Sequence, residues 1–153
     1  MIQTILAPTD FSEGSRQALE YAVGLAMQFG ARLWVLHIGA LVDDETPTHH
    51  SARRDIYHKA REQKQRIGRA RMDELIADLQ AAHPELPLDT LVRDGTPYEV
   101  ICNTADELGA DMIVMGTSGL TGLSHFLIGS TAERVVRGAR VPVLTVRAKN
   151  DDA

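Results

Sequence analysis

Short apolar segments alternate with longer amphipathic ones along almost the whole chain, and this alternation limits the possible fold more than any other feature. Five short runs rich in aliphatic residues predict strands at 4–7, 32–38, 88–93, 111–115 and 141–146. The segments between them have the period of a helix and predict helices at 12–29, 55–82, 96–108 and 131–137. The order βαβαβαβαβ is typical of an open α/β fold, in which helices cover both faces of a parallel sheet.

Several of the predicted helix ends have their own sequence signals. Thr96 precedes Pro97 and lies three residues before Glu99, a pattern that predicts an N-cap, a first-turn proline and a capping box. Gly30 and Gly109 follow the last apolar residue of their helices and are natural C-terminal stops. The predicted helices therefore begin and end where local chemistry also favours a boundary.

Length and charge exclude several classes of protein. The 153 residues suit one domain, which we expect to span 1–147, followed by a polar tail at 148–153. The formal net charge of −5 disfavours nucleic acid as a partner, because phosphate neutralisation needs a basic surface. A single cysteine, no signal-peptide pattern and no apolar run near 20 residues predict a cytoplasmic protein without membrane insertion.

The loop after the fourth predicted strand is rich in glycine and leads into the last helix. Gly116, Gly119 and Gly129 let backbone N–H groups approach an anion closely, and Ser130 and Thr131 add hydroxyl donors. A helix N-terminus supplies unpaired N–H groups and a partial positive charge. Since ligands of parallel sheets bind beyond the carboxyl ends of the strands, this loop is a candidate phosphate cradle without a lysine.

Structural interpretations of the same residues remain open on spacing alone. Ser130 and Glu133 fit a capping box, and loop glycines often only permit turns. Asp10, after the first strand, can cap the first helix. The chain has neither a Walker A motif nor a G-x-G-x-x-G sequence after its first strand, so the usual phosphate-binding fingerprints are missing.

The spacing from Gly116 to Ser130 resembles the G-x2-G-x9-G-[S/T] pattern of the ATP-binding branch of the universal stress protein family. The first strand, which ends in Pro-Thr-Asp at 8–10, and the closing segments GSTAERVV at 129–136 and VPVLTV at 141–146 resemble that family as well. The resemblance covers residues 2–147, so it rests on the whole order of elements as well as on the motif.

The resemblance implies an adenine nucleotide alpha hydrolase-like sheet with strand order 3-2-1-4-5 and bound ATP with Mg²⁺. It implies an adenine wall made by Pro8, Thr9 and Ile38, with Asp10 near the ribose and adenine. It also implies a ribose and phosphate turn made by Met115, Gly116 and Gly119. The implied triphosphate cradle consists of Gly129, Ser130 and Thr131. A homodimer through the last strand, Val141 to Val146, is a further implication.

The expected function is that of a nucleotide-responsive regulatory module in the stress response, acting on a protein partner that the sequence does not identify. The alternatives are a slow ATP hydrolase or phosphotransferase, and a dimeric stress protein that binds no nucleotide. Phosphoryl transfer needs a positioned base and usually Lys or Arg at the γ-phosphate. No catalytic residue and no side-chain metal site are predicted, so the pattern favours binding over turnover, with at most weak ATPase activity.

Three further expectations concern single features. Valine at Gly116 or Gly129 is expected to block ATP binding and leave the fold intact. The basic stretch at 53–71 is interpreted as a solvated helix face, with partner docking as the alternative. Cys102 is interpreted as a small packed residue, and the polar loop at 39–55 supports no functional inference.

Overall fold

We describe the fold from a computed structural model, which covers residues 1–39, 51–117 and 128–149, with only the backbone described at 51–53. The elements within these ranges follow the predicted order: β1 (Thr4–Thr9), α1 (Glu13–Phe29), β2 (Arg32–Ile38), α2 (Ser51–Ala82), β3 (Leu88–Arg93), α3 (Pro97–Leu108), β4 (Met112–Gly116), α4 (Ser130–Gly138) and β5 (Val143–Val146).

The five strands form one parallel sheet in the order β3-β2-β1-β4-β5, which confirms the predicted fold class and strand order. Strand β1 lies at the centre, paired with β2 from Thr4–Arg32 to Thr9–His37 and with β4 at Ile5–Met112. The chain winds from β1 toward one edge and then, from β4, toward the other. A crevice therefore opens between the carboxyl ends of β1 and β4.

Two apolar layers hold the sheet between its helices. On the face covered by α1 and α2, the core includes Ile5 and Val35, both fully buried. On the face covered by α3 and α4, it includes Leu6 and Leu36, also fully buried. Neighbouring residues of one strand face opposite layers, as the pleat requires. Burial of each such side chain contributes about 1.5–3 kcal/mol, so both layers stabilise the sheet strongly.

Some element boundaries differ from the predicted ones. Strand β1 continues to Thr9 and β4 to Gly116, so both reach further toward the crevice than expected. Strand β5 begins at Val143 instead of 141, because Pro142 has no N–H to donate; its carbonyl still accepts from Ile113 N at 2.9 Å. Helix α2 begins at Ser51, four residues earlier than predicted, within the stretch interpreted as loop.

The helix caps agree with the sequence signals in part. Gly30 and Gly109 end α1 and α3 with φ of 63° and 60°, in the left-handed region that glycine tolerates, as predicted. Thr96 does occupy the N-cap of α3, with Pro97 in the first turn, but its side chain makes no capping hydrogen bond. The capping box was wrong because the Glu99 carboxylate accepts instead from the Tyr98 hydroxyl at 3.0 Å.

Candidate functional site

Strands β1 and β4 end at the same level beside the crevice. They pair at Ile5–Met112 and Leu6–Ile113, and each continues three residues beyond the second pair, to Thr9 and Gly116. A Cβ atom added to Gly116 would lie 2.9 Å from the carbonyl oxygen of Gly14, in the first turn of α1. Packing of β4 against α1 therefore requires this glycine, and the expectation that Gly116→Val leaves the fold intact is wrong.

Side chains accept from several backbone N–H groups in the turn that leads into α1 and in its first turn. Ser12 is its N-cap, and the Ser12 hydroxyl accepts from Ser15 N at 3.2 Å. The Asp10 carboxylate oxygen Oδ1 accepts from Ser12 N at 2.9 Å, and the Thr9 hydroxyl accepts from Phe11 N at 3.1 Å. Asp10 therefore has the structural role that the sequence left open, although the bond to Ser12 occupies only one of its carboxylate oxygens.

Thr9 lies on the α1 side of the sheet, away from the predicted adenine wall. Its side chain is buried, and its hydroxyl lies 3.1 Å from the hydroxyl of Ser15. Its carbonyl lies 2.9 Å from Nδ1 of His37. Both polar groups of Thr9 are thus hydrogen-bonded inside the protein, so only its backbone and Cα face the crevice end of β1.

Pro8 and Ile38, the other two predicted wall residues, lie on the opposite face together with Met115, which was predicted in the ribose and phosphate turn. Pro8 pairs with Leu36, one residue pair before the end of β1. Ile38 and Met115 pack against the same cluster as Leu36, on the face covered by α3 and α4. Since side chains two residues apart share a face, Pro8, Ile38 and Met115 form an apolar row across β2, β1 and β4 at their carboxyl ends.

The start of α4 differs from that of α1 because no side chain within the described ranges caps it. Gly129 is the N-cap, with φ of −60°, and no side-chain hydrogen bond accompanies it. The first intrahelical bond runs from Glu133 N to Gly129 O at 3.0 Å. The N–H groups of the three residues before Glu133 precede that ladder and have no intrahelical acceptor. The capping box centred on Ser130 was therefore wrong, and the Ser130 side chain is exposed.

The two ends of the glycine loop, Thr117 and Gly129, are joined by a backbone hydrogen bond. Gly129 N donates to the carbonyl of Thr117 at 2.5 Å, and Thr117 N donates to the carbonyl of Val146 at 3.0 Å. Thr131, the last of the predicted cradle residues, is half-buried in the first turn of α4. Gly119 lies in 118–127, outside the described residues, and so do the loop at 40–50 and the end of the tail at 150–153.

Phe11 and its contacts with His37 and Arg71 were missed by the sequence interpretation. Phe11 has φ of 62°, a conformation that is strained for an aromatic residue. Its ring lies 4.5 Å from the ring of His37, and the Arg71 guanidinium lies 4.9 Å from the centre of the Phe11 ring. The only sequence signal was the position of Phe11 between two turn-forming residues, Asp10 and Ser12.

Other candidate chemistry finds no support in the part of the chain that the structure describes. No cluster of three or more His, Cys, Asp or Glu suited to a metal occurs there. Burial raises the pKa of the Cys102 thiol, with Asp106 adding to the effect, so the reactive thiolate is disfavoured. None of the helices in these ranges combines the length and apolar character needed to cross a bilayer.

Two clefts among the described residues lie away from the crevice. One of about 290 Å³ is lined by residues of α2 and β3, including Arg69, Asp73 and Thr90. The other, of about 270 Å³, lies between the end of α1 and the segment that follows α2, and includes His83. Neither includes a residue of the predicted site.

Sequence comparison identifies the class of protein that this fold and crevice belong to. The model of the universal stress protein family matches residues 1–147. Universal stress protein MJ0531 of Methanocaldococcus jannaschii is 31% identical over 147 residues, covering 96% of this chain and 83% of that protein. Universal stress protein YxiE of Bacillus subtilis is 31% identical over 151 residues, covering 96% and 100%. The chain belongs to the universal stress protein family.

Solved structures agree with this assignment. MJ0577 of Methanocaldococcus jannaschii superimposes with a TM-score of 0.82 at 26% identity, covering 99% of both chains. Two more distant structures of the same fold contain nucleotides. One is a universal stress protein in complex with cAMP, with a TM-score of 0.70 at 22% identity, and the other is an Arabidopsis thaliana family protein with AMP bound, at 0.61 and 15%.

Proposed function

We propose that this protein binds ATP, with Mg²⁺, in the crevice between β1 and β4 and acts as a nucleotide-responsive regulatory module of the stress response. The uncapped start of α4 carries this proposal. Three successive N–H groups, those of Ser130, Thr131 and Ala132, precede the first intrahelical bond of that helix. Such groups, together with the helix dipole, attract phosphate oxygens.

The apolar row supplies a place for the base. Pro8, Ile38 and Met115 lie side by side at the carboxyl ends of three adjacent strands. An adenine ring needs a flat apolar surface with a few polar groups at its edge, and strand ends provide both. In this arrangement the base lies over the strand ends and the phosphates reach toward α4. Thr9 then contributes through its backbone.

Polar residues between these two parts suit the sugar and the metal ion. The second carboxylate oxygen of Asp10 is assigned to a ribose hydroxyl or to Mg²⁺ with its waters, since Mg²⁺ prefers oxygen ligands. The residues proposed to line the ribose and phosphate turn are Gly116 and Gly119, and those of the triphosphate cradle are Gly129, Ser130 and Thr131. The cAMP and AMP complexes of proteins with this fold support an adenine nucleotide as the ligand class.

The chemistry beside the crevice favours binding over fast turnover. Fast phosphoryl transfer uses a base to position the nucleophile and a cation at the γ-phosphate. Arg16, the basic residue nearest to Asp10 in sequence, forms ion pairs with Glu13 and Glu20 on the surface of α1. Arg134, in α4, lies over the Tyr98 ring. We therefore assign no catalytic residue and expect weak ATPase activity at most.

The edge of the sheet at β5 is proposed to form a homodimer. Among the described residues, strand β5 pairs on one side only, with β4, and Leu144 is exposed on it. An open edge strand with apolar side chains favours pairing with another chain. The proposed contact spans Val141 to Val146. We also propose that the protein is cytoplasmic and that a regulatory protein partner binds it in a way that depends on the bound nucleotide.

Calorimetric titration with ATP and Mg²⁺ tests the binding site directly. We expect Gly129→Val to lower ATP affinity at least about tenfold, or about 1.4 kcal/mol, because its side chain would occupy the phosphate position. Gly138→Ala is the matched control at the other end of α4, since its added Cβ would meet Cys102 Sγ at an ordinary 3.8 Å. Equal affinity in both variants would refute the site.

A turnover assay separates the binding protein from the slow hydrolase. We expect purified protein to retain ATP over many minutes, and nucleotide released by denaturation to be detectable by chromatography. Multiple turnovers per minute, lost in Asp10→Ala, would favour the enzyme. A protein that neither carries nor binds nucleotide would favour the dimeric stress protein without a ligand.

A further inference from the structure

Helix α2 has an outward face that is apolar along much of its length. Its inward side chains pack or hydrogen-bond against the domain: Met72 is buried, and Arg61 and Gln65 donate to Asp94 Oδ2 at 3.0 and 2.6 Å. Each residue of an α-helix is rotated by about 100° from the one before it, so residues spaced alternately by four and three positions lie on one face. Such a series lies on the face opposite to Met72. All of its members are exposed: Ile56, Ala60, Gln63, Ile67, Ala70, Glu74, Ala77 and Ala81.

The exposure on this face is large for aliphatic side chains. Ile56 is 69% exposed and Ile67 is 51% exposed. The two lie eleven residues apart, which is three turns, so they point in nearly the same direction. Alternating spacing of four and three residues is the pattern by which helices pack lengthwise against each other, and alanines between the larger residues permit close approach.

The helix is also longer than the sheet that it covers. Its 32 residues span about 48 Å, whereas the six residues of β3 span about 20 Å. Residues 54–60 precede the contacts of Arg61 and Gln65 with Asp94, and every side chain among them is exposed. A helix whose first described turns expose every side chain presents a surface suited to a partner.

Charge is divided sharply along α2. Eight of the sixteen Lys and Arg residues, but only two of the twenty-one Asp and Glu residues, lie at 53–71. That stretch therefore carries six net positive charges, and the rest of the chain carries eleven net negative ones. Within α2, the end of the helix at 72–82 contains three acidic residues and no basic one: Asp73, Glu74 and Asp78.

We infer that the outward face of α2 pairs with the same face of a second copy of this chain, with the two helices antiparallel. A parallel pair would set the basic halves against each other. An antiparallel pair sets the acidic end of each helix, at 72–82, beside a segment of its partner that contains Lys59 and Lys64, and unlike charges at such an interface favour this orientation. The charge pattern thus favours a second copy in the antiparallel direction.

The length of the apolar series locates the symmetry axis. Its midpoint lies between Ile67 and Ala70, so a two-fold axis there brings Ile67 of one copy over Ala70 of the other. The same axis brings Arg66 close to Asp73 of the second copy on one flank of the series. A nucleic acid would be repelled by the acidic half of the helix and would leave both isoleucines exposed.

This interface is independent of the nucleotide site and of the proposed β5 dimer. Helix α2 packs on β3, at the edge of the sheet opposite to β5. Contact between two α2 helices can therefore be measured separately from pairing of two β5 strands. If both form, the two interfaces together produce assemblies larger than a dimer.

Thiol crosslinking tests the contact. In a Cys102→Ser background, Ala70→Cys is expected to be trapped as a covalent dimer by a short bifunctional thiol reagent at least about tenfold faster than Gln28→Cys, an exposed control on α1, because the axis brings the two copies of position 70 near each other without placing them face to face. Adding Ile67→Lys to the Ala70→Cys chain should remove this advantage, and adding Tyr21→Lys should not, since Tyr21 is equally exposed, at 51%, on α1. Equal rates at positions 70 and 28 would overturn the proposal.

Charge reversal tests the direction of the helices. Arg66→Glu should slow trapping at position 70, because the reversed charge would then lie beside Asp73 of the second copy. Adding Asp73→Arg to the same chain exchanges the two charges and should restore the rate. If the exchanged chain stays as slow as the first variant, the antiparallel arrangement is wrong.

Discussion

Helices α1 and α4 both begin beside the crevice, but their first turns are satisfied in different ways. At α1, side chains of Thr9, Asp10 and Ser12 accept hydrogen bonds from backbone N–H groups of the turn. At α4, Gly129 is the cap, and no side chain of the described residues accepts from the N–H groups at 130–132. The difference is therefore one of degree: among the described residues, Ser15 N in the first turn of α1 has a side-chain acceptor, whereas none of the corresponding groups of α4 has one.

The same comparison separates two glycines that look alike in the sequence. Gly116 ends β4 and is needed because α1 approaches it closely. Gly129 starts α4 in an extended conformation that other residues can adopt, so its backbone geometry does not require glycine there. A glycine that backbone geometry does not require is the better candidate for close approach of a ligand.

The largest effect on stability is expected at Gly116. Gly116→Ala should lower the free energy of unfolding by about 1–3 kcal/mol, because the new Cβ meets the backbone of Gly14 at 2.9 Å. Gly24→Ala is the matched control in exposed α1, where nothing lies within 4 Å, and should stabilise the protein by about 0.5–1 kcal/mol. Urea unfolding measures both, and a neutral Gly116→Ala would contradict the packing role.

A smaller effect is expected when each helix start loses its serine. Ser12→Ala should cost about 1 kcal/mol, since its hydroxyl caps α1. Ser130→Ala should change stability by less than about 0.5 kcal/mol, because Ser130 caps nothing, and should weaken ATP binding instead. Equal losses of stability in the two variants would show that the helix starts do not differ.

A carboxylate at the opposite end of β1 predicts a pH dependence. Asp111 accepts from Gln3 N and Thr4 N at 2.7 and 2.9 Å, which lowers its pKa below the ordinary 3.8. Its contribution to stability is present above the unfolded pKa and is lost as the pH falls through the lower folded pKa. Asp111→Asn should therefore flatten the decline in unfolding free energy below about pH 4. An unchanged acid titration would contradict this role.

The smallest effect is expected at the start of α3. Thr96→Ala should cost no more than about 0.5 kcal/mol, because its hydroxyl makes no capping bond. Thermal unfolding of Thr96→Ala and Ser12→Ala, measured side by side, compares a cap that only the sequence suggests with a cap that is formed. A loss as large as that of Ser12→Ala would mean that Thr96 caps α3 in solution.

Sequence patterns predicted the fold well, because burial on both faces of a parallel sheet leaves continuous apolar runs such as β4. The strand order came from the family resemblance and is confirmed. Helix caps were predicted less well, since several side chains compete for each N–H group. Both predicted capping boxes have residues of the right type. At α4, however, the N-cap is Gly129 instead of Ser130. At α3, the Glu99 carboxylate accepts a hydrogen bond from the Tyr98 hydroxyl.

The site was predictable only where position along a strand determined it. Pro8, Ile38 and Met115 share a face because period and register require it. The orientation of Thr9 and the strain at Phe11 depend on contacts with Ser15 and His37 that are distant in sequence or set by a turn. Such contacts leave no pattern in the sequence.

Amide chemical shifts at the start of α4 test the central claim most directly. In ¹⁵N-labelled protein, ATP with Mg²⁺ should shift the N–H signals of Ser130, Thr131 and Ala132, whereas adenosine should leave them in place and shift those of Ile38 and Met115. Signals at 130–132 that stay unchanged when saturating ATP binds elsewhere would show that α4 does not hold the phosphates.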